Sequence, residues 1–422
     1  MQASWKGCRL SVTLASPGQN ARALTPKYAV STFGISVLGL LTANLVPVMI
    51  LALEALGIEV STAGLFTTVS LLSTAAACIL SSRYCTSAYR KPVARIGALV
   101  GGSGFLLAAL APSDLLVFLG MVGGGIGIGA TSAASGAALA ALKDPERMSG
   151  LSSLSNRVLV TIVLAVIPLL GIQMLTVFGF LSLLSFSGAL FAYWLPTAPA
   201  DPATTDPGTA AAPPAAKPSQ QPAPAGRARP TGTVVGLVLL VSFALWGLSE
   251  DSFWSILGVL GTSQAGLDNA QLSLVLSGST AGGILASFFI LLVGDKLGRS
   301  IPLLVFIVAG SILKFSATQL TDSGSFIAAV IIWNTLYALV FAYVNAVAIA
   351  LDRSGRWSGP LAGVYLVGSA LAPFAATLLS EQFGYTVFGY ASSGLSLLLV
   401  IPLALAARQS SRKPTATRKE QA

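Results

Sequence analysis

Arg157, Glu250, Asp251 and Lys314 each sit inside a long apolar run. In a bilayer a central Arg, Asp or Lys costs roughly 2.5–3.5 kcal/mol on insertion scales, so each needs a cavity, a partner or an escape to the interface. Arg157 lies about ten residues into its run, roughly 15 Å from the end at 1.5 Å per residue, which is too deep for snorkelling to be an easy escape. Its charge is permanent, and its planar fork suits a carboxylate, sulfonate or phosphate bidentately. The expected partner is an anionic solute or a carboxylate of the chain itself. Asn156 points about 100° away on a helix and need not share the site.

Glu250 and Asp251 lie in FALWGLSEDSFWSILG. On a helical wheel Phe243, Trp246, Glu250, Trp254 and Leu257 fall within about 40° of one direction, with Asp251 about a quarter-circle aside. A carboxyl in such surroundings can take up and release a proton, and Glu250, on the aromatic face, is the stronger candidate. The same residues also fit an outer interface beside Asp268, with the Trp rings as a membrane anchor. Asn334, Phe341 and Asn345 lie within about 20° of one line, Tyr337 about 60° aside, a stripe suited either to a ligand or to interhelical bonding. Asn44, before Pro47, marks a kinked gate or a locally satisfied backbone. Lys314, in the outer third of its run, is expected to snorkel. The expected solute-binding set is Arg157, Asn44, Trp246, Asn334, Tyr337 and Asn345, and the proton-coupling set is Glu250 and Asp251.

Other chemistry lacks its residues. There is no histidine and there are three cysteines, so neither a metal site nor a cofactor is expected. The GxxxG spacings of Gly120, Gly123, Gly124 and Gly127 suit close helix packing. They do not suit phosphate, because no lysine follows them and the chain has no GxxxxGK[ST] element.

The elements that must position these residues are membrane spans. Hydrophobic residues are 54% and charged ones 9%, against roughly 25% charged in a soluble domain. Twelve apolar stretches approach the ~20 residues that cross a bilayer: 29–53, 61–82, 93–111, 115–141, 149–170, 174–195, 234–260, 270–293, 301–320, 325–350, 359–380 and 386–407. Of the 24 Lys and Arg, 22 fall in the tails and in alternate loops; the intervening loops hold Glu54, Glu59, Asp114, Asp268, Asp322 and Glu381 and no base. By the positive-inside rule both termini are cytoplasmic. The net charge of +9 is then explained by lipid headgroups and orientation, and nucleic acid is not an expected partner. The first run is too long for a signal peptide and lacks a small-residue cleavage site. The predicted organisation is a tail (1–28), a six-helix bundle (29–195), a Pro/Ala-rich disordered tether (196–232), a second six-helix bundle (233–407) and a tail (408–422). Two such halves suggest a repeated architecture with a site near the midplane, where they meet.

The turn before the ninth span reads Gly294-Asp295-Lys296-Leu297-Gly298-Arg299. Asp295 can cap a helix start, Gly298 permits a tight turn and Arg299 can meet helix C-termini or a carboxylate. This turn resembles the D-R/K-x-G-R core of the conserved cytoplasmic loop of the major facilitator superfamily, at the position of its second-half copy. The span count, the six-plus-six split and the inside tails extend the resemblance over nearly the whole chain. The first-half loop, Arg83 to Pro92, keeps the terminal basic pair but neither the acid nor the glycine. The fourth span is glycine-rich but lacks the family's arginine near its start, and the fifth has no glycine-proline pattern of the drug/proton antiporters.

The resemblance implies an all-α membrane protein of twelve transmembrane helices that works by alternating access. The concrete expectation is proton-coupled movement of a small organic anion by a monomer in a bacterial inner membrane. Proton-driven efflux of a hydrophobic or cationic compound is the alternative. A non-transporting receptor or scaffold would keep the fold without alternating access. Enzymatic activity is not expected, for want of a catalytic constellation.

Overall fold

The computed structural model describes residues 24–85, 89–142, 145–196, 230–293, 298–351 and 357–410, and its regular elements are helices. The expected tether lies outside them, save Pro196 and residues 230–232, as do Asp295 and Lys296. The spans partition as follows. Helices α1 (Pro26–Asn44) and α2 (Val46–Ala55) are one span bent by 56°. Then come α3 (Val60–Ser82), α4 (Arg90–Leu110), α5 (Asp114–Ala140), α6 (Pro145–Leu170) and α7 (Met174–Phe191). The second half has α8 (Pro230–Ser263), α9 (Asn269–Val293), α10 (Ser300–Ala317), α11 (Ser323–Leu351) and α12 (Ser358–Ser410). A straight helix as long as α12 would reach about 80 Å, more than twice a bilayer core. It breaks at Gly384, whose φ of 79° and ψ of 167° suit only a residue without Cβ, and so supplies two spans.

Local chemistry explains the breaks and starts. Pro47 has no N–H to offer the Ala43 carbonyl, so the ladder breaks there, and one turn earlier Asn44 Nδ2 donates to the Leu40 carbonyl of its own helix at 2.7 Å. The bend and the local satisfaction expected as alternatives therefore occur together. Asp268 and Gln271 form a reciprocal capping box at the start of α9, with bonds of 2.7 and 3.2 Å. Asp322 caps α11 by accepting the Ser325 N–H at 2.8 Å, and that bond holds its carboxyl below the usual range. Gly298, ahead of α10, has a left-handed φ of 67°, and Arg299 is the N-cap residue of that helix.

The glycine-rich α5 packs on α4 at backbone contact: a Cβ on Gly127 would lie 2.1 Å from the Gly101 nitrogen. α1 to α7 make one bundle and α8 to α12 the other. They meet where α3 packs on α12, α6 on α9, and α2 on α8. Polar contacts cross this junction from the helix midpoints toward the face opposite the termini. The Ser61 N–H donates to Glu381 Oε2 (2.8 Å) and the Phe374 N–H to Thr68 Oγ1 (3.0 Å). Thr161 and Thr280 hydroxyls share a bond of 2.9 Å.

Candidate functional site

Between the bundles lies a cavity of about 360 Å³, bordered by α1, α2, α3 and α6 on one side and α8, α9, α11 and the first arm of α12 on the other. Arg157, Asn44, Asp251, Asn334 and Tyr337 from the expected set all border it, and so does Asn156. The wheel separated Asn156 from Arg157, but a concave wall is wide enough to take both. The Asn156 Oδ1 is buried with no hydrogen-bond partner among the described residues.

Arg157 extends from the middle of α6 across the junction to α9. There a Cβ on Gly283 would sit 1.9 Å from Nη1, so the absent side chain is what admits the guanidinium. Among the described residues Arg157 makes no ion pair, and it lies close enough to Tyr337 and Tyr365 to interact electrostatically. Its planar fork is thus available to an anion.

The two acids of α8 have separate fates. Asp251 borders the cavity and accepts from Tyr365 Oη at 2.7 Å and from Ser369. The Tyr365 hydroxyl is in turn hydrogen-bonded to that of Tyr337. Its partners are therefore neutral hydroxyls. Glu250, the sequence-level favourite for the proton, is instead buried inside the second bundle against Lys314, at 2.9 Å. The Lys314 ammonium also donates to Ser249 Oγ (2.8 Å) and Ser396 Oγ (2.9 Å), which uses all three of its hydrogens. Glu250 accepts further bonds from Ser396 Oγ (2.6 Å) and Trp333 Nε1 (2.7 Å). The snorkelling expected of Lys314 is thereby corrected: its side chain is 0% exposed, because a carboxylate and two hydroxyls on α8 and α12 offer what the interface would.

Rings complete the second bundle's wall. Tyr337 and Phe341, one turn apart on α11, are the partly exposed pair. Trp246 does not border the cavity; it stands behind, stacked on Tyr337 at 5.2 Å between centroids and on Phe243 at 5.6 Å. Asn345 is also outside the wall, and its Nδ2 donates to the Phe341 carbonyl of its own helix at 2.8 Å. The sequence reading passed over Tyr365, Ser369, Trp333 and Gly283. The first two lie in an apolar run with nothing to mark them, and Gly283 matters only for what crosses from α6.

The model of the Major Facilitator Superfamily matches residues 31–352. The inward-open xylose transporter XylE from E. coli superposes with a TM-score of 0.62 at 13% identity, over 92% of this chain and 96% of that one. The nucleoside transporter NupG gives 0.67 at 14% identity, over 90% and 99%. The human organic anion transporter MFSD10 gives 0.61 at 17%, over 90% and 100%. At these identities the likeness is one of fold. No curated protein matches the sequence. Twelve spans in two bundles around a shared cavity, together with a profile match over most of its length, establish that this chain belongs to the Major Facilitator Superfamily.

Proposed function

We propose that this transporter carries a small organic anion together with a proton by alternating access. The observation that supports it is a pair of opposite charges facing one cavity from different bundles. Arg157 lacks a carboxylate partner among the described residues, and Asp251 hydrogen-bonds to the hydroxyls of Tyr365 and Ser369, with the self-neutralised Glu250–Lys314 pair near enough to act on it electrostatically. The cavity lies at the bundle junction near the helix midpoints, where transporters built from repeats bind their solutes.

The charges supply the coupling. With Asp251 protonated the cavity carries one positive charge, and an anion on Arg157 brings it to zero. With Asp251 ionised, guanidinium and carboxylate already balance, and an entering anion would leave net charge in a low-dielectric site. Anion and proton therefore bind better together than apart. The loaded cavity and the empty one are both neutral, and these are the species that exchange between inward- and outward-facing arrangements. The Glu250–Lys314 pair neutralises itself and stays within its bundle.

The charge asymmetry of the loops supports cytoplasmic termini, and we assign the chain as a monomer in a bacterial inner membrane. Export of a cationic compound has one supporting observation, the rings around Asp251, and one against it, the fixed charge of Arg157 in the same cavity. The deciding test is counterflow of labelled small carboxylates in proteoliposomes. Arg157→Lys keeps the charge and loses the fork, so apparent affinity falls about tenfold or more. Unchanged affinity in Arg157→Ala would remove the anion from the account.

A further inference from the structure

We infer that the anion is an aromatic monocarboxylate, its carboxylate on Arg157 and its ring against the Tyr337–Phe341 wall of the second bundle. The inference rests on the anion reading above and deepens it.

The wall is aromatic in a specific way. Three of its rings have their polar atoms already spent inside the protein: the Trp333 N–H on Glu250, the Tyr337 hydroxyl on Tyr365, and the Tyr365 hydroxyl on Asp251; Trp254 and the Asn334 amide complete that side of the cavity. What these residues offer a ligand is ring surface and few free donors. A polyhydroxylated solute would leave hydroxyls unpaired against such a wall, at a cost for each one. The rings are also held in place. Tyr337 stacks on Trp246 with an interplanar angle of 14°, and Phe341 packs against Phe243 at 5.4 Å and Tyr365 at 5.1 Å between centroids. A wall that is rigid before the ligand arrives loses little freedom on binding.

The opposite wall limits the head group. Arg157 is the one cation among the described residues bordering the cavity, so one carboxylate saturates it. The volume of about 360 Å³ lies at the small end of the usual range for ligand pockets, roughly 300–1,000 Å³, and fits a single ring with a short acid arm. Aliphatic acids of equal size would bury similar area. They would forgo the offset and edge-to-face ring contacts that add to area burial.

The test uses the purified full-length protein in detergent and measures dissociation constants by calorimetry. The probes are benzoate, cyclohexanecarboxylate, benzamide and phenylalanine. Benzoate is expected to bind about three- to tenfold tighter than cyclohexanecarboxylate, with benzamide and phenylalanine weaker than both. Phe341→Leu should erase the preference by weakening benzoate while leaving cyclohexanecarboxylate bound, and that retained binding reports an intact fold. Equal binding of the two acids by the unaltered protein overturns the aromatic inference and leaves the anion reading standing. Binding of benzamide as tight as benzoate, or of neither acid, overturns the anion reading and the inference with it. A preference for phenylalanine assigns the cavity to a zwitterion, with Asp251 holding the ammonium, and overturns the monocarboxylate.

Discussion

Removing Lys314 should cripple the fold, and removing Glu250 with it should largely restore it. Lys314→Met leaves the Glu250 carboxylate at 4% exposure with only Ser396 and Trp333 as donors. Breaking a buried pair in this way costs about 3–5 kcal/mol, because the remaining charge has neither water nor counterion. Glu250→Gln strands the ammonium among Ser249 and Ser396 and should cost a similar amount. The double variant, Lys314→Met with Glu250→Gln, buries no charge, and replacing a whole pair by neutral residues of like volume is often neutral or stabilising. Thermal unfolding of the four proteins in one detergent closes a double-mutant cycle; two single costs of about 3–5 kcal/mol and a near-neutral double variant give an interaction energy of about 6–10 kcal/mol. Additive effects would refute the claim that the pair acts as a unit. The double variant also separates the two acids: it should retain pH-gradient-driven accumulation, since the carboxyl that faces the cavity is Asp251. A folded double variant that had lost coupling would move the proton to Glu250.

Two further outcomes follow from contacts across the bundle junction. Gly283→Ala should displace the Arg157 guanidinium, whose Nη1 would lie 1.9 Å from the new Cβ. Since the displaced atom ends a flexible side chain, thermal stability should hold while anion affinity falls about as far as in Arg157→Lys, roughly tenfold; normal affinity would show that the guanidinium works from elsewhere. Glu381→Ala removes the acceptor of the Ser61 N–H at the start of α3, which favours closure of the face opposite the termini. Labelling of a cysteine placed in the cavity from that face should become faster, and an unchanged rate would mean that the contact does not bias the equilibrium.

The spans and their grouping were legible because length, apolarity and loop charge act locally, and the sequence carries all three. Arg157 was legible for the same reason, as a charge too deep in its run to escape. The choice between Glu250 and Asp251 was not. A helical wheel gives the angle between two residues but not the rotation of the helix against its neighbours. The part of that face with Phe243 and Trp246 turns into the core of the second bundle, where both rings are almost fully buried, and takes Glu250 with it, while Trp254, one turn on, borders the cavity. Lys314 misled for a related reason. Its partners on α8 and α12 are 64 to 82 residues away in sequence, and nothing near it announces them. Asn345 shows the reverse error: a polar residue on the right stripe can satisfy itself on its own helix.

Coupling through Asp251 is the centre of the account. Its most direct test is Asp251→Asn in proteoliposomes, with accumulation under an imposed pH gradient compared with solute exchange at equal pH. The neutral isostere keeps a partner for Tyr365 and carries no proton to exchange. The expected result is loss of gradient-driven accumulation with exchange preserved. Accumulation that still follows the gradient would contradict the assignment of the proton to this carboxyl.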